Sequence, residues 1–328
     1  MVGKMKQGER EAVKIVMADA DRYLRNNLRQ ALFYAGFRTI TDVGKAADLK
    51  AVLDEGQPDL LLIDNHLPDG DACAIVRSLR YSRVGRNPFL SVIMTAQPDD
   101  VHDLGRMIDS GTDHIVIKPI APQAIFERMQ ALIERRKPFV ATSGYIGPDR
   151  RKGKRDAEAA AAADIPTFEV PNTLRLKFEG KPVDNERLQQ TIDQALGRIN
   201  EELVYRHAFH IAFLVERVVP LLQREAAGAD HLLRQISSAA QEMLRRIDSA
   251  SVPHVVELLR ALDGHVAAVA RRIDLLGADD LTVLRKLSEA IYVSVNAGSN
   301  ATELAQKIRE TVQSYEKRQQ EKRAGRSI

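Results

Sequence analysis

Asp59-Leu60-Leu61-Leu62-Ile63-Asp64 is the stretch on which the fold turns. Four apolar residues run straight into a carboxylate, and Leu67-Pro68-Asp69-Gly70 then turns the chain. A short apolar run closed by a turn signal reads as a strand buried on both faces, the signature of a parallel sheet. Asp64 then lies at the carboxyl end of a central strand, the edge at which open α/β sheets bind ligands. A carboxylate held there can serve as a nucleophile or a metal ligand. A strand-end Asp that only caps the following turn is the plainer alternative.

The flanking segments decide between the two. Val13, Ile15, Val16 and Met17 form a strand ending in Ala18-Asp19-Ala20-Asp21. Leu24, Leu28, Leu32 and Ala35 follow at helical spacing, with Gly36 closing the helix. Phe37 to Val43 predicts a second strand, and Ala46, Leu49, Val52 and Leu53 a second helix. After the Asp64 strand come a helix on Ala72, Ile75, Val76 and Leu79 and a strand from Phe89 to Met94, ending in Thr95-Ala96. Val101, Leu104 and Ile108 predict a fourth helix. A fifth strand, Ile115-Val116-Ile117, ends in Lys118-Pro119, and Ile125, Met129 and Leu132 mark a fifth helix. Five alternating cycles predict a doubly wound, five-stranded parallel sheet, flavodoxin-like in class. Four strands end at the same edge in Asp19, Asp64, Thr95 and Lys118. The carboxylates can hold Mg²⁺, a cation that takes oxygen ligands. The hydroxyl and the ammonium suit phosphoryl oxygens. A phosphoryl group on Asp64 accounts for all four residues together.

From Ala12 to Arg136 this arrangement resembles the receiver domain of two-component response regulators. The resemblance implies that Asp64 is the phosphoacceptor and that Thr95 and Lys118 bind the phosphate. It implies Asp19, Asp64 and the backbone carbonyl of His66 as Mg²⁺ ligands, with small Ala96 leaving room for the phosphate and a cis Lys118–Pro119 peptide. It also implies a sensor histidine kinase or phosphotransfer protein as partner, and a signalling protein rather than an enzyme. Two positions depart from the family pattern. The second acid after strand one is Ala20, with Asp21 next along as a further candidate ligand. The switch aromatic, three residues before the lysine, is Ile115. Both changes favour an alternative in which the domain is a pseudo-receiver, a scaffold or docking module that works without phosphorylation.

The rest of the chain reads as connector and helices. Residues 1–137 form the first domain. Residues 138–166 carry Gly144, Gly147, Pro148, Gly153, a basic block from Arg150 to Arg155 and the alanine run Ala157 to Ala163, which predicts a flexible or extended linker. Residues 167–328 predict a helical output or interaction domain, mildly extended from Phe168 to Phe178 and then helical in pattern. Apolar stripes recur on Leu188 to Leu222, Leu232 to Ile247, Val255 to Leu276 and Leu284 to Val295, and a last one on Leu304 to Tyr315 follows an Asn300/Glu303 capping box. The stripe from Val255 to Leu276 holds a seven-residue repeat and is a candidate core or homodimer seam. His207 and His210 sit one turn apart but have no third metal ligand in the pattern.

Composition narrows the function classes. Of 328 residues, 28% are charged, yet the formal net charge is only +3. No apolar run approaches the ~18 residues of a membrane span. The polar start, Met1 to Arg10, argues against a secretory signal and for a cytoplasmic protein. A single cysteine, Cys73, excludes an internal disulfide and a cysteine-based zinc site. Absence of tryptophan and 5% aromatics disfavour base-stacking nucleic-acid binding, although the basic linker keeps that class in view.

Overall fold

The computed structural model describes residues 10–151, 165–181, 184–224, 227–247, 252–272 and 276–296. Contacts divide the chain into two units, Met1–Gly197 and Arg198–Ile328.

The first unit holds the expected sheet. Its strands are β1 (Lys14–Ala18), β2 (Thr39–Val43), β3 (Leu60–Asp64), β4 (Ser91–Ala96) and β5 (His114–Ile117), paired in parallel in the order β2-β1-β3-β4-β5. Between them run α1 (Arg22–Tyr34), α2 (Ala46–Glu55), α3 (Ala72–Arg80), α4 (Leu104–Asp109) and α5 (Pro122–Arg135). A 3₁₀ segment, Pro98–Asp103, leads into α4. All of β3 is buried. Because successive side chains point to opposite faces, Leu61 and Ile63 join the layer under α2 and α3, while Leu60 and Leu62 join the layer under α1 and α5. Each such leucine contributes roughly 2 kcal/mol of burial. The strand order reverses between β1 and β3, which leaves a crevice at their carboxyl ends. Asp19 and Asp64 stand there.

The expected linker from 138 to 166 gives way in its described part. Residues β6 (Phe139–Thr142) and β7 (Tyr145–Pro148) form an antiparallel hairpin. Phe139 exchanges backbone hydrogen bonds of 2.8 and 2.7 Å with Phe168. Gly144 lies in the hairpin turn and Gly147 at a close approach to Gly111, while Phe139, Val140, Ala141 and Ile146 are buried. The alanine run lies outside the described residues. A second correction follows at Phe168 to Phe178, where the end of the segment is a short helix, α6 (Thr173–Phe178). Asn172 caps it, accepting from Arg175 N at 3.0 Å and donating to the Leu132 carbonyl at 2.8 Å. Leu174 enters the α1–α5 core layer, and Lys177 pairs at 2.6 Å with buried Asp59. Residues 138–151 and 165–181 therefore complete the sheet domain.

The long helix α7 (Asn185–Gln223) spans the boundary between the units. Within the second unit its later turns, α8 (Ala229–Arg246), α9 (Pro253–Arg271) and α10 (Ala278–Val295) share one apolar core. Val255, Leu259, Leu262, Val266 and Val269 of the α9 stripe are buried inside that core. The described part of the stripe is thus core, one of the two alternatives its repeat left open. The stripe expected on Leu304 to Tyr315 lies outside the described residues. Among those described, no helix is long and apolar enough to cross a membrane.

Candidate functional site

Four strand-end side chains meet at the β1–β3 crevice. Lys118, just past β5, places Nζ 3.0 Å from Oδ2 of Asp19 and 3.0 Å from Oδ2 of Asp64. The Thr95 hydroxyl, at the end of β4, donates to Asp64 Oδ1 at 3.1 Å. Register explains the meeting, since Asp64 lies opposite Thr95 across the β3–β4 ladder and Ala18 opposite Ile63 across β1–β3. The Lys118–Pro119 peptide is cis. Asp19, Asp64 and Thr95 are each less than a tenth exposed.

Electrostatics at this edge are unbalanced. Burial, and then the neighbouring Asp19 charge, push the Asp64 carboxyl above its ordinary pKa despite the hydrogen bonds from Lys118 and Thr95. Burial alone would lower the Lys118 pKa, but Asp19 and Asp64 overcome it and hold the ammonium charged. Two carboxylates thus share one cation, and the pair retains a net negative charge.

The candidate metal ligands divide. Asp19 and Asp64 are together, with hard oxygen donors. Asp21 is exposed and engaged elsewhere, accepting from Tyr23 N at 2.8 Å and Leu24 N at 3.2 Å as the N-cap of α1. Its own backbone N–H donates to Asp19 Oδ1 at 2.8 Å. Ala20, also exposed, brings only a methyl group. The His66 ring points to Asp100, with Nε2 2.7 Å from Oδ1. His66 and a hydrogen bond from Gln97 N hold the Asp100 carboxyl below its usual range, against the opposing effect of burial. Mg²⁺ binds through one or two carboxylates completed by phosphate oxygens and water, so the Asp19–Asp64 pair fits that ion. Among the described residues, no three His, Cys, Asp or Glu side chains form a metal cluster, and His207 with His210 gains no third ligand.

Other sequence candidates fall into structural roles. Ile115 is half-buried against the same core layer as Leu104 of α4. Cys73 is buried on α3, and burial pushes its thiol up to about 11, far from a reactive thiolate. Arg150 of the basic block donates to the carbonyls of Thr112 and Asp113, and Arg151 pairs with Asp149 at 2.7 Å. These two arginines are tied down within the domain.

The sequence reading missed a second charge cluster, at the opposite end of the sheet. Asp113 accepts from Arg80 at 2.9 Å, from Arg136 at 2.9 and 3.2 Å and from Val92 N at 2.9 Å. Arg80 also donates to the carbonyls of Gly111, Pro88 and Leu90. Both guanidinium groups lie 5.1 Å from the centroid of Phe139, at the start of the hairpin. Only one local sign was available: an arginine, Arg80, on the apolar face of a helix pattern.

Residues 15–130 match the response regulator receiver domain family. Response regulator MprA of Mycobacterium tuberculosis is 31% identical over 129 residues, which are 39% of this chain and 53% of that protein. MprA of Mycobacterium ulcerans is 28% identical over 126 residues, 38% of this chain and 52% of its own. The chain spans about half the length of the curated relatives it matches. Among solved structures, the chemotaxis response regulator CheY4 of Vibrio cholerae is 16% identical, with 36% of this chain and 96% of that one covered at a TM-score of 0.32. The CheY-like receiver domain protein of Methanospirillum hungatei is 21% identical, with coverages of 36% and 92% and a TM-score of 0.33.

Proposed function

We propose, from the premise that residues 15–130 are a response regulator receiver domain, that this chain is a two-component signalling protein that accepts a phosphoryl group on Asp64. The donor is a phosphohistidine on a sensor histidine kinase or phosphotransfer protein, and the setting is the cytoplasm. The carrying observation is the position of Lys118 Nζ, 3.0 Å from both Asp19 and Asp64, with Thr95 on the other Asp64 oxygen.

A carboxylate oxygen of Asp64 attacks phosphorus. The O–P bond forms as the P–N bond breaks, and the electron pair returns to the donor imidazole, which takes a proton from water. Phosphoryl transfer needs positioning and charge neutralisation more than covalent help. Mg²⁺, when bound, supplies positive charge to the phosphoryl oxygens. Asp19, Asp64 and the His66 carbonyl are the residues that would hold it. Lys118 supplies a second positive charge and Thr95 a hydroxyl donor. The phosphoryl group carries a charge of about −2 on its own oxygens and draws both toward them. Movement of Thr95 is felt by Ile115 and Leu104, and so around α4 and β5. A protein partner of the helical domain reads the result.

One observation favours the second reading, a docking module that works without phosphorylation. Ala20 stands where a further carboxylate would face the cation, and Asp21 is committed to its helix cap. A small acyl phosphate with Mg²⁺ decides between them. The parent chain acquires one phosphoryl group and Asp64→Asn acquires none. Equal modification of both proteins, or of neither, contradicts the proposal.

A further inference from the structure

The loop between α4 and β5 is clasped from outside the sheet. Gly111 adopts a left-handed backbone conformation, φ +89°, which costs glycine little. A Cβ there would lie 2.5 Å from the Ile146 carbonyl oxygen and 2.9 Å from Arg80 Cγ. Across the contact, a Cβ on Gly147 would lie 2.8 Å from Gly111 Cα. Loop and hairpin therefore meet closely, backbone against backbone at Gly111, Ile146 and Gly147, with the Arg80 and Tyr145 side chains packed beside the contact. Hydrogen bonds reinforce the contact. Arg150 donates to the Thr112 and Asp113 carbonyls, Arg77 of α3 donates to the Gly144 carbonyl at 3.2 Å, and Arg136 at the base of the hairpin holds Asp113.

The loop's other end is the least regular helix of the sheet domain. Helix α4 spans six residues and follows a six-residue 3₁₀ segment. Such short, mixed turns gain little from helix propagation and are natural places for rearrangement. Packed backbones do not deform continuously, so a displacement at α4–β5 either carries the hairpin or breaks the contact.

We infer that the hairpin β6–β7 is the element that reads the state of the α4–β5 loop and carries it out of the receiver domain. The inference rests on the phosphorylation reading above and adds the exit point of the signal. In the sequence, the hairpin lies between the acceptor site and α6, which precedes the long helix α7.

Hydrogen–deuterium exchange on the full chain tests it, with Mg²⁺ and beryllofluoride as the phosphoryl mimic and fluorine NMR to register the adduct on Asp64. In the parent, amides of 104–113 and 139–148 change together. In Arg77→Gln/Arg150→Gln, the first segment still responds and the second loses its response. If that variant loosens the hairpin before any addition, Gly147→Ala, which adds a single methyl at the contact, replaces it with the same expected loss. An adduct that moves 104–113 and leaves 139–148 unchanged in the parent overturns the inference while the phosphorylation reading stands. A hairpin that still responds fully in the variants overturns it too. Absence of any adduct overturns both.

Discussion

The two ends of one sheet carry the same two kinds of charged group in opposite ratios. At the carboxyl edge, Asp19 and Asp64 share Lys118. At the amino edge, Arg80 and Arg136 share Asp113, and backbone carbonyls take up the remaining donors of Arg80. The consequences run in opposite directions. Burial pushes the Asp64 pKa up, and one cation is not enough to bring it back. Burial would raise Asp113 as well, but Arg136 and Arg80 hold it below the carboxylate range. Burial also pulls Arg80 down to about 10, so it stays charged at neutral pH. A surplus of acid leaves unsatisfied negative charge, the condition for attracting a cation, which in turn can neutralise a phosphoryl group. A saturated acid is a structural anchor. Ion pairing alone therefore does not mark a functional site, and the charge balance around the buried acid separates the two cases.

The same isosteric change at the two ends breaks the comparison most sharply. Asp113→Asn leaves two buried guanidinium groups without their anion and is expected to cost about 3–5 kcal/mol, the range for breaking a buried pair. Chemical unfolding of the full chain measures it, and a loss under ~1 kcal/mol would mean that the amino edge is not an anchor. Because its pKa is depressed in the fold, Asp113 contributes stability above the unfolded carboxylate value, and that stability is lost as pH falls through its folded value.

His207 in the second unit supplies a third case, a buried titratable group whose ring nitrogens have no hydrogen-bond partner among the described residues. Burial lowers its pKa from 6.5 to about 4 despite the Glu242 charge, with Arg246 and His210 adding to the fall. The fold holds the neutral ring, so stability is full above pH ~6.5 and is lost progressively as pH falls toward ~4. The gap is worth about 3 kcal/mol. His207→Leu flattens that dependence in unfolding curves taken between pH 7 and 4. An unchanged slope would assign the acid sensitivity to another group.

Adding an acid at the carboxyl edge sharpens the comparison from the other side. Ala20→Asp raises the anionic donors facing Mg²⁺ and is expected to tighten binding about tenfold, or ~1.4 kcal/mol. Asp21→Ala leaves Mg²⁺ affinity near that of the parent while removing the α1 cap at a cost of about 1 kcal/mol of stability. Titrations of both variants check this. Loss of Mg²⁺ binding in Asp21→Ala would make Asp21 a ligand.

The smallest effect carries the opposite sign. Ionised Asp64 costs the fold stability above its raised pKa, and that cost is relieved as pH falls through it. Asp64→Asn is therefore expected to stabilise the chain at neutral pH by about 1 kcal/mol. Thermal unfolding checks it, and destabilisation would place Asp64 with Asp113 among the anchors.

What the sequence disclosed follows the same division. The sheet was legible because Leu60 to Ile63 must be buried on both faces, and the strand-end residues followed from the strands. Asp113 was not legible, because its partners Arg80 and Arg136 lie 33 and 23 residues away, and the one local sign, Arg80 on an apolar helix face, does not name the acid it meets. The hairpin was misread for a related reason. Gly144, Gly147 and Pro148 look like linker composition until Gly147 meets Gly111, a contact between distant stretches of chain. In the second unit the α9 repeat left open a core or a seam between copies, and only the packing of α8 and α10 against it showed where that face is buried.

The account's central claim is that the acid-rich edge is the reactive one. After treatment with a small acyl phosphate and Mg²⁺, borohydride reduces an aspartyl phosphate to homoserine, and peptide mass mapping locates it. The account predicts homoserine at position 64 and nowhere else. Homoserine at another aspartate, or none while Mg²⁺ is bound, would contradict it.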